Sequence, residues 1–479
     1  MKHILHTLVS ITFGTTIFIY PLPIVNAIKT RNSIKTSLIS IKTDDFLIPA
    51  EITNFPKLVQ LEDLSKSDKQ NSETSRKYRR KRRPVSKELA QKLQAKVDKT
   101  VEETGITGVT VAIVGSKGIW LGTSGFSDLK NQTPMNPRSR FNIASISKTF
   151  TATTVLSLID EGKLNLEDKL NKWLPTEVVD NIPNGKDITI RHLLNHTSGI
   201  PDYDENPAIK SNPLLLYIRD WSQDELIALV YGIPPKHSPG QGYSYSATNY
   251  LLLAMIVESA TNSTFANQVR DRIIKLLNLK DTFVPPQEPV PTDLVSGYLP
   301  VTQEQLNKLE PNIREFLDQN VDYVEDNQNR KLYDVKSLPR RSGGYGSGSI
   351  ISSALDVAKF AQFLFSGKLL KPETLQQMRD FVPDPDGGYN FGDITNTGYG
   401  LGLESLHLPF PLNKAWGHNG QNPGYVTQMW YLPEYNITAV ALVNERNNYL
   451  EPNPTQELQT SQLARDKILL DTLKVLLEK

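Results

Sequence analysis

The sequence has no cysteine, and its charges nearly cancel. The lack of cysteine excludes a disulfide framework, a thiolate nucleophile and a cysteine-ligated zinc site. The formal net charge of the 479 residues is +1, so the overall charge does not indicate a nucleic-acid partner. With 38% hydrophobic residues, the chain can bury the core of one large domain or of two smaller ones.

Several catalytic motifs are also missing. No G-x-S-x-G stretch occurs, which argues against an α/β-hydrolase, and no G-x-x-x-x-G-K-[ST] stretch occurs, which argues against a phosphate-binding loop. His192 and His196 are four residues apart, as in a zinc-binding helix, but Leu193 stands where a metalloprotease has glutamate. We interpret both histidines as helix residues near a loop. No metal or cofactor is predicted.

Only one apolar run is long enough to matter for targeting, and it is at the start. Lys2 precedes the stretch ILHTLVSITFGTTIFIY, which is followed by PLPIVNA and ends at Ala27. A positive residue, an apolar run and a small residue after helix breakers are typical of an export signal. We predict a cleaved signal peptide over residues 1–27; the alternative is an uncleaved N-terminal anchor. Either interpretation places the protein in the periplasm or cell envelope.

Residues 28–85 are polar and irregular, and they end in a basic run. Seven of the eight residues from Arg76 to Arg83 are basic. Such a block repels itself and is typical of a solvated, disordered linker. The alternative is attachment to an anionic cell-wall or membrane surface.

Residues 86–479 show the patterns of a mixed α and β fold. An amphipathic helix follows Ser86, a β-hairpin is predicted around residues 116–118, and apolar strands recur in GYVTQMWYLP and NITAVALVN. Helices are predicted at 141–162, through most of 163–280, at 354–365 and at 461–477. We predict an α+β fold, in which the N- and C-terminal helices cover an antiparallel sheet and residues 142–345 form a mostly helical lobe. Residues 285–345 are interpreted as a long connection or cover, with a helical piece near 303–319.

Ser145 and Lys148 are the first candidates for catalysis. A helix places residues three apart on the same face, whereas Ser147 is adjacent to Lys148 in sequence and faces elsewhere. A serine hydroxyl needs a base, and a lysine can serve when burial lowers its pKa. On these four residues alone, a helix-capping serine with a solvated lysine is the simpler alternative. The apolar helix that follows favours the catalytic interpretation.

Two later stretches supply further candidates. In PGQGYSYSATNY we favour Tyr245 as a proton carrier, with its pKa lowered by the lysine, and we interpret Tyr243 as an aromatic plug. In AWGHNGQNPGY, Gly420 permits close approach of a ligand to a strand edge. His418 is a candidate positive or hydrogen-bonding group for a substrate carboxylate; alone, it could equally be a structural histidine.

Together, these residues resemble the penicillin-recognising serine enzymes. Serine-x-x-lysine, tyrosine-serine-x and histidine-x-glycine occur in that order, as in the group that contains class C β-lactamases, D-alanyl-D-alanine carboxypeptidases, D-aminopeptidases and related esterases. The stretches ITIRHLLNHTSGIPDY, SGSIISSALDVAKF and GYGLGLE also look like this group. The resemblance covers residues 86–479.

The resemblance implies a role for each candidate. Ser145 would be acylated, Lys148 would activate it, and Tyr245 would move the proton to the leaving group. His418 would replace the lysine of the lysine-threonine-glycine version, and the backbone N–H groups of Ser145 and Gln421 would form the oxyanion hole. The implied substrates are small peptides, β-lactams or esters, without nucleic acid, metal or cofactor.

One position departs from the family pattern. The family usually has asparagine two residues after the tyrosine, where its amide holds the acyl-amide carbonyl of the substrate, but this chain has Ala247. Asn249 is nearby and is a second candidate for substrate binding. The favoured function is a D-alanyl-D-alanine carboxypeptidase acting on peptidoglycan peptides. The alternatives are a β-lactamase or esterase, and a catalytically weak cell-wall-binding protein.

Overall fold

The structure is a computed structural model that describes residues 84–326, 329–338, 344–384, 390–391, 394–447 and 460–478. The predicted signal peptide and the basic run Arg76–Arg83 lie outside these residues. None of the helices in the described part combines the length and the apolar character needed to cross a bilayer.

A nine-stranded antiparallel sheet forms the centre of the structure. Its strands, in spatial order, are β3, β2, β1, β14, β13, β12, β11, β10 and β9. Their bounds in chain order are β1 Gly108–Gly115, β2 Gly118–Asp128, β3 Thr133–Pro134, β9 Asn390–Phe391, β10 Ile394–Tyr399, β11 Glu404–Leu408, β12 Asn413–Asn422, β13 Tyr425–Leu432 and β14 Ile437–Val443. The first and last strands of the described residues are therefore neighbours, because β1 pairs with β14.

The two terminal helices, α1 (Lys87–Thr104) and α15 (Thr460–Leu477), pack together against one face of the sheet. Ser86 caps α1 by accepting a hydrogen bond from the Leu89 N–H at 3.2 Å. Along β1, Val109, Val111 and Ile113 belong to the core under these helices, whereas Ala112 and Val114 belong to the core on the opposite face. This alternation follows from the two-residue period of a strand, and burial on both faces explains why β1 is apolar at most of its positions.

The opposite face of the sheet packs against α2 (Ile146–Asp160) and α13 (Ala354–Phe365). The rings of Phe150 and Phe360 stack between these two helices, with centroids 3.8 Å apart. Nearly every residue of α2 is buried, as expected for a helix without a polar face. The residue before α2 is Ser145, so the most buried helix of the lobe carries the candidate nucleophile.

The remaining helices of the described residues are mostly short, as the proline and glycine breaks predict, although Ala247–Thr261 has 15 residues. They are α3 Thr176–Asn181, α4 Ile190–Leu194, α5 Pro207–Ser211, α6 Gln223–Ala228, α7 Ala247–Thr261, α8 Phe265–Val269, α9 Lys275–Leu277, α10 Gln303–Lys308, α11 Pro311–Asn320, α12 Tyr345–Gly348 and α14 Pro372–Gln377. A π-helical turn, Arg270–Ile274, joins α8 to α9. Three-residue or four-residue 3₁₀ turns lie at Leu170–Lys172, Tyr203–Glu205, Pro213–Leu216 and Val335–Ser337.

Residues 285–345 contain strands that the sequence did not predict. Tyr298–Val301 (β5), Tyr323–Glu325 (β6) and Lys331–Asp334 (β7) form a separate sheet in the order β5, β7, β6. The predicted helical piece at 303–319 is present as α10 and α11. Strands of three or four residues among prolines and charges have too little periodicity to be detected. In a further pair, β4 (Arg140–Asn142) precedes α2, and its partner β8 (Ile351–Ser353) leads directly into α13.

The α+β class, the antiparallel sheet, the flanking terminal helices and the helical lobe are confirmed. The turn between β1 and β2 is also where it was predicted, with Gly115 opposite Gly118.

Candidate active site

Ser145 occupies the N-cap position of α2, but its side chain does not cap the helix. No backbone N–H of the first turn donates to its hydroxyl. Instead, Ser145 Oγ lies 3.1 Å from Lys148 Nζ. The geometry therefore favours the nucleophile interpretation over the capping interpretation, and it brings together the two residues that the three-residue spacing selected. Ser147 is fully buried and accepts a hydrogen bond from the Ile350 N–H, so it has a structural contact.

The backbone before Ser145 has a conformation that is unusual for its residue type. Ala144 has φ 48°, in the left-handed region that residues with a Cβ rarely adopt. The Ala144 N–H donates to Asn142 Oδ1 at 2.9 Å, and the same oxygen accepts from Asn422 Nδ2 at 2.7 Å. Asn142 therefore fixes the tight turn before Ser145 and joins it to the end of β12. Strain held in this way is a common feature of catalytic turns.

Lys148 is buried, with 2% of its surface exposed. Its Nζ donates to the Ser347 carbonyl at 3.0 Å, and it lies 4.8 Å from the ring centre of Tyr245. Burial lowers the pKa of Lys148 to about 7, although the carboxylates of Asp202 and Glu404 act in the opposite direction. A large fraction of the lysine is therefore a neutral amine near neutral pH, the form that can accept the proton of Ser145.

Tyr245 completes this part of the site, but its charge state differs from the prediction. A hydrogen bond joins its side chain to Ser145. Although 38% of the residue is exposed, burial raises the pKa of its hydroxyl well above the ordinary value, and the hydrogen bond with Ser145 only partly opposes this. The prediction that Lys148 lowers the pKa of Tyr245 is wrong, because desolvation of the phenolate dominates. The neutral hydroxyl is suited to donate a proton.

His196 belongs to this site, although the sequence pattern does not indicate it. It lies beyond the end of α4 with φ 59°, fully buried, so only His192 is a helix residue as predicted. Its carbonyl accepts from the Ser244 N–H at 2.9 Å and its Nδ1 accepts from the Ser246 N–H at 3.2 Å. Its ring lies 4.3 Å from that of Tyr245. His196 therefore positions Tyr245 through hydrogen bonds to Ser244 and Ser246, the residues on either side, and through contact between the two rings.

The edge of β12 forms the other wall. Residues 413–417 pair with β11, whereas residues 418–422 pair only with β13 among the described strands. A methyl group added at Gly420 would lie 2.8 Å from both Ser145 N and Ile143 O, so glycine allows this strand to run against the nucleophile. In the described part of the chain, the Ser145 N–H makes no backbone hydrogen bond. An oxyanion hole formed by the N–H groups of Ser145 and Gln421 stays a prediction.

His418 lies on this edge, but it is uncharged and covered. It is 1% exposed, and burial lowers its pKa to about 3, with the Lys148 charge acting in the same direction. Its Nε2 lies 2.9 Å from the Tyr399 hydroxyl, and its Nδ1 lies 3.2 Å from Glu404 Oε1 and beside the Asn419 carbonyl. The structure therefore contradicts the expectation of a positive histidine, while a hydrogen-bonding role stays open.

Asn249 does not line the cleft. It is fully buried, its Oδ1 accepts from the Ser198 hydroxyl at 2.7 Å, and its Nδ2 lies 3.0 Å from His196 Nδ1. The prediction that Asn249 binds substrate is wrong, because both ends of its amide are engaged. It stabilises His196 instead. Ala247 is half-buried at the start of α7 and carries no polar group.

Comparisons with known proteins identify the family of this chain. The family model described as Beta-lactamase matches residues 93–462. Penicillin-binding protein 4* of Bacillus subtilis is 25% identical over 367 residues, covering 74% of this chain and 72% of the relative.

Solved structures show the same fold. The D-stereospecific amidohydrolase from Streptomyces sp. is 28% identical, with a TM-score of 0.60 over 74% of this chain and 94% of its own. D-amino acid amidase from Ochrobactrum anthropi, complexed with L-phenylalanine amide, is 25% identical, with a TM-score of 0.66 over 81% of this chain and 99% of its own. The family match spans most of the chain and includes Ser145, Lys148, Tyr245 and His418. The protein is a member of the beta-lactamase family of serine hydrolases, related to penicillin-binding proteins and D-amino acid amidases.

Proposed function

We propose that the protein hydrolyses the amide bond that follows a D-residue, as a D-alanyl-D-alanine carboxypeptidase acting on peptidoglycan peptides. The observation that carries this proposal is the 3.1 Å contact between Ser145 Oγ and Lys148 Nζ, made by a lysine whose pKa burial lowers to about 7. The similarity to a penicillin-binding protein and to D-specific amidases favours a D-residue on the acyl side.

In the proposed reaction, Lys148 as a free amine takes the proton of Ser145, and Oγ attacks the substrate carbonyl carbon. The C–N bond then breaks, and the departing amine takes a proton from Tyr245, which Lys148 re-protonates. Water attacks the resulting ester, gives up its proton to the same pair of groups and releases Ser145. The overall reaction is a hydrolysis: it consumes the amide and one water molecule and produces a carboxylic acid and an amine.

The strand edge formed by residues 418–422 is the proposed binding site for an extended substrate. Residues 420–422 pair with no described strand on this side, so we propose that their backbone groups pair with a peptide in the manner of an added strand; Gly420 lets this strand edge lie close to Ser145. Lys148 is buried beside the Tyr245 ring, and this position of low dielectric strengthens its electrostatic effect on Ser145.

A second candidate function is hydrolysis of D-amino acid amides, which the similarity to D-amino acid amidase favours. β-Lactam or ester hydrolysis would use the same Ser145 and differ in the lifetime of the acyl-enzyme. A catalytically weak wall-binding protein is the remaining alternative, and the lack of asparagine at position 247 is what favours it.

The decisive experiment is covalent labelling. Purified protein is incubated with a fluorescent penicillin, and the intact mass is measured, with Ser145→Ala as the control. We expect one adduct on Ser145 that decays slowly, together with release of D-alanine from an N-acylated D-Ala-D-Ala peptide. Rapid decay would indicate a β-lactamase. No adduct and no turnover of the peptide, a D-amino acid amide, nitrocefin or a short ester would exclude the enzymatic proposal.

We also propose that the protein is exported and that Arg76–Arg83 attaches it to an anionic wall or membrane surface. Deletion of residues 66–84 should then weaken binding to anionic vesicles at low salt, and added salt should weaken binding of the full chain. Unchanged binding after the deletion would leave the segment as a linker.

A further inference from the structure

The loop that joins β11 to β12 presents an exposed phenylalanine. Phe410 is 86% exposed, and the next most exposed large hydrophobic side chain in the described part of the chain is Tyr323, at 41%. Pro409 and Pro411 flank Phe410, and each proline restricts the backbone of the loop. Covering the Phe410 ring with an apolar partner would be favourable, because it removes apolar surface from water.

The loop is fixed from below, so the exposure of Phe410 does not come from a loosely held chain. The Leu412 N–H donates to the Pro409 carbonyl at 3.0 Å, and the Tyr435 hydroxyl donates to the Pro411 carbonyl at 2.6 Å. Leu412 is itself buried in the core under the terminal helices. The loop therefore places its leucine inside and holds Phe410 at the tip.

Other elements share this end of the nine-stranded sheet. Tyr435 belongs to the turn between β13 and β14, and it lines a small hollow together with the β1–β2 turn and Leu477, the last residue of α15. Tyr435 and Leu477 are only partly buried, so they add apolar surface to the end that carries Phe410. Pro84 forms a bridge with Ile119, the second residue of β2, so residues 1–83 join the described structure at the same end.

The positive charge at this end comes from the basic run. Arg76–Arg83 directly precedes Pro84 and has seven basic residues out of eight. The described residues at the nearby turns and helix ends carry balanced charges, on Lys87, Lys117, Lys414, Glu88, Glu434 and Glu478. Four strand spacings, about 19 Å, separate β2 from β12, and an extended segment of eight residues reaches about 27 Å at most. One flat surface can therefore contact both the basic run and Phe410.

We propose that this end of the sheet docks on an anionic lipid bilayer, with Arg76–Arg83 against the head groups and the Phe410 ring inserted between them. The inference goes beyond the proposed hydrolysis and rests on the attachment proposed for the basic run, whose surface it names as lipid. Attraction of a polybasic segment and burial of an apolar group reinforce each other at a membrane. An anionic wall polymer would also attract the basic run, but it offers no apolar interior for Phe410.

This docking would keep the active site clear of the lipid. β12 begins at Asn413, next to the Phe410 loop, and reaches Gly420, beside the Ser145 backbone, seven residues later. Seven residues of extended strand span about 23 Å. The nucleophile would therefore lie toward the other end of β12 from the docked loop, where the cleft is open to substrates that do not enter the membrane.

The lack of cysteine permits a direct test, because one introduced cysteine can carry an environment-sensitive fluorophore. Phe410→Cys and Tyr323→Cys, each in the full chain, are labelled and mixed with phosphatidylcholine vesicles that contain phosphatidylglycerol. Tyr323 is the matched control: it is an exposed aromatic residue of the small sheet, whose strand β5 adjoins Glu445 beyond the other end of β14. We expect a blue shift of the emission, and quenching by quenchers attached to lipid chains, at position 410 only.

Vesicle co-sedimentation measures how much the ring contributes to binding. Phe410→Ala should weaken binding to the anionic vesicles about tenfold, because the burial of the ring is lost. Tyr323→Ala should change binding by less than about twofold. Both variants should keep the melting temperature of the unaltered protein, since both side chains are exposed.

The possible results separate this inference from the proposals on which it builds. If the chain binds the vesicles while the probe at position 410 stays in water, the basic run attaches the protein by itself, and the inference is overturned although the attachment stands. Absence of binding to vesicles, with or without binding to polyglycerol phosphate as a wall-polymer probe, would also overturn it. None of these results bears on the hydrolysis, which penicillin labelling of Ser145 tests separately.

Discussion

Two groups of residues face each other across the cleft, and burial of a basic side chain has a different consequence in each group. The nucleophile cluster consists of Ser145, Lys148 and Tyr245. The strand-edge cluster consists of Tyr399, Glu404, His418 and Asn419. Burial lowers the pKa of Lys148 to about 7, and so makes a lysine useful as a base, whereas it lowers the pKa of His418 to about 3 and removes its charge at any working pH.

The difference lies in how each buried group is partnered. Among the described residues, Lys148 Nζ is hydrogen-bonded to the Ser145 hydroxyl and to one backbone carbonyl, so its proton can move to and from the nucleophile. His418 is held on both ring nitrogens, and Glu404 accepts two hydrogen bonds from Asn419 Nδ2. Burial raises the pKa of Glu404 to about 8. The hydrogen bonds of the nucleophile cluster therefore permit proton transfer, whereas those of the strand-edge cluster hold its side chains in fixed positions.

The largest expected effect is the loss of acylation in Ser145→Ala, which Ser147→Ala should not show. Ser145→Ala should abolish penicillin labelling and lower turnover at least about 1000-fold, because the acylated oxygen is removed. Ser147→Ala is the matched control: its hydroxyl accepts only the Ile350 N–H, so the variant should be labelled and should lose about 1 kcal/mol of stability. Intact mass and thermal unfolding measure the two effects. Labelling of Ser145→Ala would assign the nucleophile to another residue.

The pH profile of acylation is the next largest effect. Since the amine form of Lys148 is required and its pKa is about 7, the acylation rate should fall about tenfold for each pH unit below 7. The acylation rate of Lys148→Met should be about 10²–10⁴-fold lower and should not show this decline below pH 7. Stopped-flow labelling between pH 5 and 7.5 measures both. If the decline below pH 7 persists in Lys148→Met, another group acts as the base.

The same contrast explains what could be predicted from the sequence. Ser145 and Lys148 are three residues apart on one helix, so local spacing was enough to pair them. The terminal helices and the central strands could also be predicted, because their periodicity is local. His196, Asp202 and Glu404 come from distant segments, and neither their burial nor their partners follow from spacing. The reversed pKa shift of Tyr245 could not be foreseen either, because desolvation depends on the packed structure.

Substitution of Tyr245 should have a smaller effect on acylation, and substitution of the neighbouring Tyr250 provides the comparison. Tyr245→Phe should slow acylation by about 10²-fold, because the proton donor to the leaving group is lost. Tyr250→Phe is the control. Its hydroxyl donates to the Leu194 carbonyl at 2.8 Å and is hydrogen-bonded to Tyr399, and none of the hydrogen bonds among the described residues joins it to Ser145, so the main loss should be about 1 kcal/mol of stability. Equal losses of activity in both variants would indicate that the tyrosines act only through packing.

The smallest expected effect concerns the charge of His418 during substrate binding. A histidine that captured the substrate carboxylate as a cation would lose affinity as the pH rises through about 6.5. Because the folded pKa is about 3, the ring should be neutral throughout pH 5.5–8, and the ratio of KM for a carboxylate-terminated peptide to KM for its amide should stay within about threefold over this range. A ratio that rises steeply above pH 6.5 would show that substrate binding protonates His418. In that case the attraction of the substrate carboxylate must exceed the desolvation cost that keeps the His418 ring neutral. The strand-edge cluster would then bind the carboxylate through a charged histidine as well as through the fixed positions of its side chains.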